Sequence, residues 1–202
     1  MASPLPNRVL SEALLPADGA ALWAKRAALV VLGIAALAIA AKIRVPFWPV
    51  PMTMQTFVVL SIGAAYGMRL GGVTLLGYLA VGALGFDVFT SSSATNNGLA
   101  YMMGGTGGYL LGFLLATLAL GALARRGWDR SVPRMAGAML IGEVLVFLPG
   151  VLWLGHLFAA EQGWAWVLEA GLVSFLPAEA LKLALAALVF PAAWRAVGRA
   201  RG

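Results

Sequence analysis

Long apolar segments separated by short polar connections are the feature that most constrains this chain. Six can be drawn, at about 22–41, 53–66, 70–88, 106–124, 135–158 and 170–193. A helix needs about 20 apolar residues to cross the hydrocarbon core of a bilayer. Of the 202 residues, 61% are hydrophobic and only 11% are charged, unlike a soluble domain. The sequence therefore predicts an all-α integral membrane protein with a bundle of six transmembrane helices.

The basic residues indicate how these segments are oriented. With the N-terminus inside, the cytoplasmic side holds Arg8, Lys25, Arg26, Arg69, Arg125, Arg126, Arg130, Arg134, Arg195, Arg199 and Arg201. The outer side then holds only Lys42 and Arg44. The positive-inside rule places both termini in the cytoplasm, with tails at 1–21 and 196–202 around a membrane domain at 22–195. Because topology explains the net charge of +6, no nucleic-acid partner is expected.

The composition also excludes several kinds of chemistry. The chain has no cysteine and a single histidine, His156, which rules out thiolate catalysis and a multi-histidine metal site. Ser174 with His156 is the only nucleophile–base pairing worth considering, and no acid is placed to orient the histidine. We therefore expect a protein that is not an enzyme and that holds neither a metal nor a cofactor.

Glu179 and Lys182 are the ionisable residues that demand an explanation. They lie three residues apart in the sixth segment, where charges are costly unless they pair or face a polar ligand. Glu143, in the fifth segment, is an alternative structural partner for Lys182. These three groups do not form the file of polar residues that a channel needs. They favour a closed pocket for a small, partly polar molecule, although an ion pair that only fixes helix register would give the same pattern.

Two connections on the predicted outer side add further candidates. The first, 42–56, contains three prolines and Trp48 and ends in Thr53, Gln55 and Thr56. It is either a stiff interfacial turn or a lid with hydrogen-bonding groups. The second, 87–103, is polar and leads into a glycine-rich stretch at 104–108. These glycines begin a small-residue stripe for helix packing, and their amides can also approach a ligand.

Three stretches together resemble a known family. PVPMTMQT at 49–56 is similar to the Pro-Val-(Thr/Pro)-x-Thr-x-Gln-Thr signature of the BioY family, the biotin-specific S components of energy-coupling-factor (ECF) transporters. GTGGYLLGF at 105–113 resembles its Gly-(Pro/Thr)-Thr-Gly-Gly-Tyr-Leu-x-Gly-Phe element, and LPAEALK at 176–182 its Pro-Gly-Asp-x-x-Lys element. This chain has Gly105 where the family usually has proline, Ala178 for glycine and Glu179 for aspartate.

The resemblance implies an ECF S-component bundle that binds biotin from the outer face in the bacterial cytoplasmic (inner) membrane. It implies that Glu179, Lys182 and either Asn96 or Asn97 contact biotin. The other expected substrate-binding residues are Gln55, Thr53, Thr106, Gly107, Tyr109 and Trp48. Because the chain has no ATPase motif, the expected partners are a transmembrane coupling subunit and two cytoplasmic ATPases. Ala36 and Ala40 form the candidate docking face on the first helix.

Other readings of the same pattern stay open. The chain could be an S component for a different vitamin, such as thiamine or riboflavin, whose aromatic rings would need more stacking surface. It could also be a solitary biotin facilitator that needs no ATPase.

Overall fold

Helices make up nearly all of the structure, as predicted. The computed structural model describes residues 8–14, 17–45, 50–93 and 95–199. The helices are α1 (Leu10–Leu14), α2 (Gly19–Lys42), α3 (Gln55–Ala83), α4 (Gly98–Met102), α5 (Gly107–Arg125), α6 (Val132–Gln162), α7 (Trp164–Gly171) and α8 (Leu176–Arg199). Short 3-10 turns at Trp128–Arg130 and Val173–Phe175 precede α6 and α8. Strands β1 (Arg44–Val45) and β2 (Met52–Thr53) pair antiparallel, with Arg44 opposite Thr53.

Within these described ranges, five helical stretches are long and apolar enough to cross a membrane, judged by length and composition. Three of them correspond to α2, α5 and α6, and the last joins α7 to α8 across the 3-10 turn. The remaining one is α3, where the sequence predicted two separate segments at 53–66 and 70–88. The predicted count of six and the observed count of five therefore differ only in how α3 is divided.

A sharp kink at Gly67 divides α3. Gly67 has φ 78° and ψ 170°, a combination that is essentially confined to glycine. The side chains of Gln55 and Tyr78 nevertheless meet, with Gln55 Nε2 donating to the Tyr78 hydroxyl at 2.7 Å. In a continuous helix these two residues would lie roughly 35 Å apart. The two halves of α3 therefore lie side by side and antiparallel.

Small residues let α5 and α6 pack with their backbones in close contact. A Cβ atom on Gly108 would lie 2.3 Å from the carbonyl oxygen of Pro149, and one on Gly112 would lie 2.7 Å from that of Val146. Both distances are too short for any side chain, so the predicted packing role of the stripe is confirmed at these two positions. The helix α2 lies at the edge of the bundle and leaves large apolar side chains such as Trp23 and Val31 exposed.

The bundle has two distinct ends. The first, which we call the hairpin end, carries β1, β2 and the connection 84–106. The second, the arginine end, carries α1 and the α5–α6 connection, where Glu12 pairs with Arg125 at 2.8 Å. There the Trp194 indole N–H donates to Asp129 at 2.5 Å, and the Arg130 guanidinium lies 4.5 Å from the Trp194 ring centroid. Burial raises the pKa of Asp129 from 3.8 to about 6, although the indole hydrogen bond acts against it.

Candidate functional site

Glu179 and Lys182 form an ion pair inside the bundle at the hairpin end. Glu179 Oε1 accepts a hydrogen bond from Lys182 Nζ at 2.7 Å, and each side chain is only 7% exposed. The hydroxyl of Thr56 donates to Glu179 Oε2 and accepts from Lys182 Nζ, both at 2.8 Å. Lys182 also donates to the backbone carbonyl of Thr53 at 2.5 Å. All three ammonium N–H donors and both carboxylate oxygens are therefore engaged within the protein.

The start of α8 explains why the acid lies where it does. The sequence predicted a sixth segment from about residue 170, which would have put Glu179 well inside a helix. The structure instead begins α8 at Leu176, with Pro177 next and Glu179 in the first turn. Proline is favoured at this point because the first helical N–H groups have no partner in the helix. The positive end of the helix dipole then stabilises the carboxylate of Glu179.

A pocket at the hairpin end lies against this pair. Its cavity volume is about 40 Å³, within about 510 Å³ of space free of protein atoms that includes open solvent. It is lined by Val50, Pro51, Thr53, Gln55, Thr56, Phe89, Thr90, Tyr101, Thr106, Tyr109, Leu110, Phe113, Val146, Phe147, Phe175 and Glu179. The pocket therefore combines aromatic and aliphatic sides with the polar cluster of Glu179 and Thr56. This composition suits a small ligand that has one polar end and one apolar end.

Five of the residues predicted to bind substrate line this pocket: Thr53, Gln55, Thr106, Tyr109 and Glu179. Two of them also have structural partners. The amide nitrogen of Gln55 is bound to Tyr78, and the hydroxyl of Tyr109 donates to the carbonyl oxygen of Gly171 at 2.7 Å. The Tyr109 ring, rather than its hydroxyl, is therefore the part offered to a ligand.

Three of the other predicted residues, Asn96, Asn97 and Gly107, do not line the pocket. Asn96 is exposed and Asn97 precedes α4, and neither is among the residues lining the pocket. Gly107 begins α5, and a Cβ atom there would lie 2.2 Å from the carbonyl oxygen of Met102, so it is needed for packing. Trp48 lies outside the described residues. The binding roles of these four residues, like those of the residues at the pocket, remain predictions.

Residues of α2 were predicted to dock a partner. Ala36 is half-buried and Ala40 is only 3% exposed. Ala40 therefore packs within the bundle, and the docking role of this pair also remains a prediction.

Two basic residues, Lys42 and Arg44, hold the connection 87–92 over the pocket. In the sequence they indicated only the membrane topology. Lys42 Nζ donates to Asp87 Oδ1 at 2.6 Å and to the carbonyl oxygen of Phe89 at 2.7 Å. Arg44 donates to the carbonyl oxygen of Thr90. The hydrogen bond from Lys42, followed by one from Ser92, lowers the pKa of Asp87. The only sequence signal was that Lys42 and Arg44 stood alone on the predicted outer side.

Phe89 anchors the same connection from beneath. Its side chain is 1% exposed. Its ring stacks on Tyr101 with centroids 4.9 Å apart and meets the edge of Tyr78 at 5.4 Å. Gly82 makes room for it, since a Cβ atom there would lie 2.1 Å from the Phe89 ring. The pocket is therefore covered by a connection that is fixed through both its charged and its aromatic contacts.

Glu143 does not pair with Lys182 in this structure. It lies on α6, and neither of its carboxylate oxygens has a hydrogen-bond partner among the described residues. Glu143 lines a second cavity, the lateral groove, between α6, α7 and α8, together with Phe147, Glu179 and aliphatic side chains. Phe147 and Glu179 line both cavities, so they separate the lateral groove from the pocket.

Comparison with known proteins identifies a family of similar sequences. The model of the BioY family matches residues 11–199. The "Probable biotin transporter BioY" of Pyrococcus horikoshii is 34% identical over 166 residues, covering 82% of this chain and 94% of that protein. The "Biotin transporter BioY2" of Lactococcus lactis is 31% identical over 160 residues, covering 78% of this chain and 83% of that protein.

One solved structure has the same fold. It is described as the crystal structure of the S-component for biotin from an ECF-type ABC transporter. The two chains superpose with a TM-score of 0.71 at 22% sequence identity, covering 89% of this chain and 95% of the other.

Proposed function

The chain belongs to the BioY family, and from this premise we propose that it is the biotin-binding membrane subunit of a vitamin uptake system. The observation that carries the proposal is the buried Glu179–Lys182 pair, bridged by Thr56, at the pocket of the hairpin end. A buried and fully hydrogen-bonded ion pair is costly to build in an apolar bundle. A ligand that needs both a charged acceptor and a charged donor accounts for that cost.

Biotin has matching chemistry. Its ureido ring offers two N–H donors and one carbonyl acceptor, so Glu179 would accept from the N–H groups and Lys182 would donate to the carbonyl. Such charge-assisted hydrogen bonds are about twice as strong as neutral ones. The carboxylate of biotin would be repelled by Glu179, so we place the ureido ring at the ion pair and the aliphatic chain towards the opening. The apolar parts would then contact rings such as Tyr109 and Phe147, which line the pocket.

We further propose that the two halves of α3 cross the membrane separately, which gives six passes and places both termini in the cytoplasm. The antiparallel halves and the cluster of basic residues at the arginine end support this topology. The hairpin end would then face outward, so that biotin enters the pocket from outside the bacterial cytoplasmic membrane.

The energy for uptake would come from other proteins, because we assign this chain a binding role and no enzymatic activity. The proposed partners are a transmembrane coupling subunit and two cytoplasmic ATPases of an ECF module. Within this proposal, Ala36 remains the candidate contact with the coupling subunit, whereas Ala40 packs inside the bundle.

Binding of labelled biotin to the detergent-purified protein tests the central proposal. We expect the wild type to bind biotin and Lys182→Ala to lose about 100-fold or more in affinity, because it leaves Glu179 buried without its partner. Lys25→Ala is the matched control, since Lys25 lies near the start of α2 and away from the pocket. Wild-type affinity in purified Lys182→Ala would contradict the site, and preferential binding of thiamine or riboflavin would contradict the substrate.

A further inference from the structure

Glu143 is a half-buried acid whose two carboxylate oxygens are buried and have no hydrogen-bond partner among the described residues. In the described part of the chain it is the one side chain with two buried, unpartnered oxygen atoms. It lies one turn before Val146 and Phe147, which line the pocket. An unpaired carboxylate in an apolar setting is costly and is rarely kept without a use.

The neighbours of Glu143 are the two charged groups of the proposed biotin site. Its carboxylate is close enough to the carboxylate of Glu179 and to the ammonium group of Lys182 to interact electrostatically with both. The nearby carboxylate of Glu179 accepts hydrogen bonds from Lys182 and Thr56, and as an acceptor it has no N–H or O–H to donate to Glu143. Glu143 is therefore a second acid beside an ion pair whose lysine already uses all three of its N–H donors.

Because all the N–H donors of Lys182 are in use, a ligand that binds this residue must replace one of its partners. Lys182 uses its three N–H donors on Glu179, Thr56 and the carbonyl oxygen of Thr53. A ligand carbonyl that accepts from Lys182 must therefore replace one of these three acceptors. The carboxylate of Glu179 is the acceptor replaced when the N–H groups of the ligand bind that carboxylate. If Lys182 were displaced with no other anion nearby, its charge would be left buried and unpaired, at a cost that offsets the gain from the ligand.

We propose that Glu143 is a positioning residue for biotin binding, which takes over the ammonium group of Lys182 when the ligand occupies Glu179. The ion pair then changes partner instead of being broken, and Lys182 stays charged beside the ligand. This inference rests on the proposed function, because it requires a ligand with N–H donors at Glu179. It also explains why two acids lie beside one lysine in an otherwise apolar region.

The test compares Glu143→Gln and Glu143→Leu with wild type in the detergent-purified full chain. Glu169→Gln is the matched control, because Glu169 is exposed on α7 and bonds only weakly, to Ser174 at 3.4 Å. We expect both Glu143 variants to bind labelled biotin about tenfold more weakly, which corresponds to the loss of one charge-assisted contact. Their ligand-free unfolding temperatures should stay at or above that of wild type, because the removed carboxylate has no partner before biotin binds.

A second readout follows the carboxylate directly. The infrared difference spectrum between biotin-bound and ligand-free protein should contain a carboxylate band that Glu143→Gln loses and Glu169→Gln keeps. Unchanged or tighter biotin binding in the Glu143 variants, or an unchanged difference spectrum, would overturn the inference. The inference would also be overturned if the ligand-free variants lost as much free energy of unfolding as free energy of biotin binding, since that indicates a structural role. If wild type binds no biotin, the proposed function itself fails, which the control measurement reveals first.

Discussion

Replacing Thr56 with valine tests whether the ion pair depends on its bridging hydroxyl. Valine has nearly the same shape as threonine, so the change removes the hydrogen bonds to Glu179 and Lys182, each 2.8 Å long, and leaves packing almost unchanged. A hydrogen bond to a charged group contributes about 1.5–3 kcal/mol. Because Lys182 and Glu179 still bond to each other, we expect a loss near the lower limit for two such bonds, about 3 kcal/mol.

That loss translates into a measurable shift in thermal unfolding. For a chain of this size, 1 kcal/mol corresponds to about 2–4 °C, so Thr56→Val should unfold about 6–12 °C below wild type. The matched control is Thr117→Val, which removes one uncharged hydrogen bond, 3.4 Å long, to the carbonyl oxygen of Val59 at a fully buried position. It should cost about 1 kcal/mol, or about 2–4 °C.

Unfolding of the detergent-purified proteins, followed by circular dichroism, provides the measurement. Labelled biotin binding to the same samples should weaken in Thr56→Val and stay near wild type in Thr117→Val. The reasoning is refuted if Thr56→Val unfolds within about 3 °C of wild type, or if the unfolding temperature of Thr117→Val falls by as much as that of Thr56→Val.

Two further predictions concern the arginine end. Gly67→Ala should destabilise the protein by about 1–3 kcal/mol, because alanine is strained at φ 78° and its Cβ atom would lie 3.2 Å from Val9. The control is Gly198→Ala, which adds a Cβ atom to open space. Equal unfolding temperatures for the two variants would contradict the prediction. Because burial raises the pKa of Asp129 from 3.8 to about 6, the folded state holds this proton more tightly than the unfolded state. The contribution of Asp129 to stability should therefore decrease as the pH rises from about 4 to about 6. Asp129→Asn should lack that part of the pH dependence of unfolding, whereas an identical profile in wild type and variant would show that the pKa of Asp129 is not shifted by folding.

The membrane class and the principal charged residues of the site are properties of the sequence itself. An apolar segment of sufficient length predicts a spanning helix wherever it occurs in the chain. The bilayer core offers no hydrogen-bond partners, so the backbone must satisfy its own polar groups there. The spacing of Glu179 and Lys182 places them on one face of a helix, and short-range helix geometry then brings them together. Local rules therefore sufficed for most of the helices and placed Glu179 near Lys182, but they left Glu143 open as an alternative partner of Lys182.

The division of α3 and the start of α8 were harder to predict. The predicted break between 66 and 70 coincides with Gly67, but hydropathy does not reveal that the chain folds back sharply there. In the same way, the apolar run from 170 to 176 hid the boundary between α7 and α8. Apolar residues fit a helix, a 3-10 turn and a kink equally well, so composition alone does not separate these elements.

Tertiary packing determined which residues distant in the sequence interact. Lys182 pairs with Glu179 rather than with Glu143, and the packing of the end of β2 and the start of α3 against α8 brings the carbonyl oxygen of Thr53 and the hydroxyl of Thr56 to the same ammonium group. Similarly, Lys42 binds the 87–92 connection only because α2 ends beside it. The sequence contains both acids and all the basic residues, but the energy of each pair depends on distance and burial. Those two quantities exist only once the helices have packed.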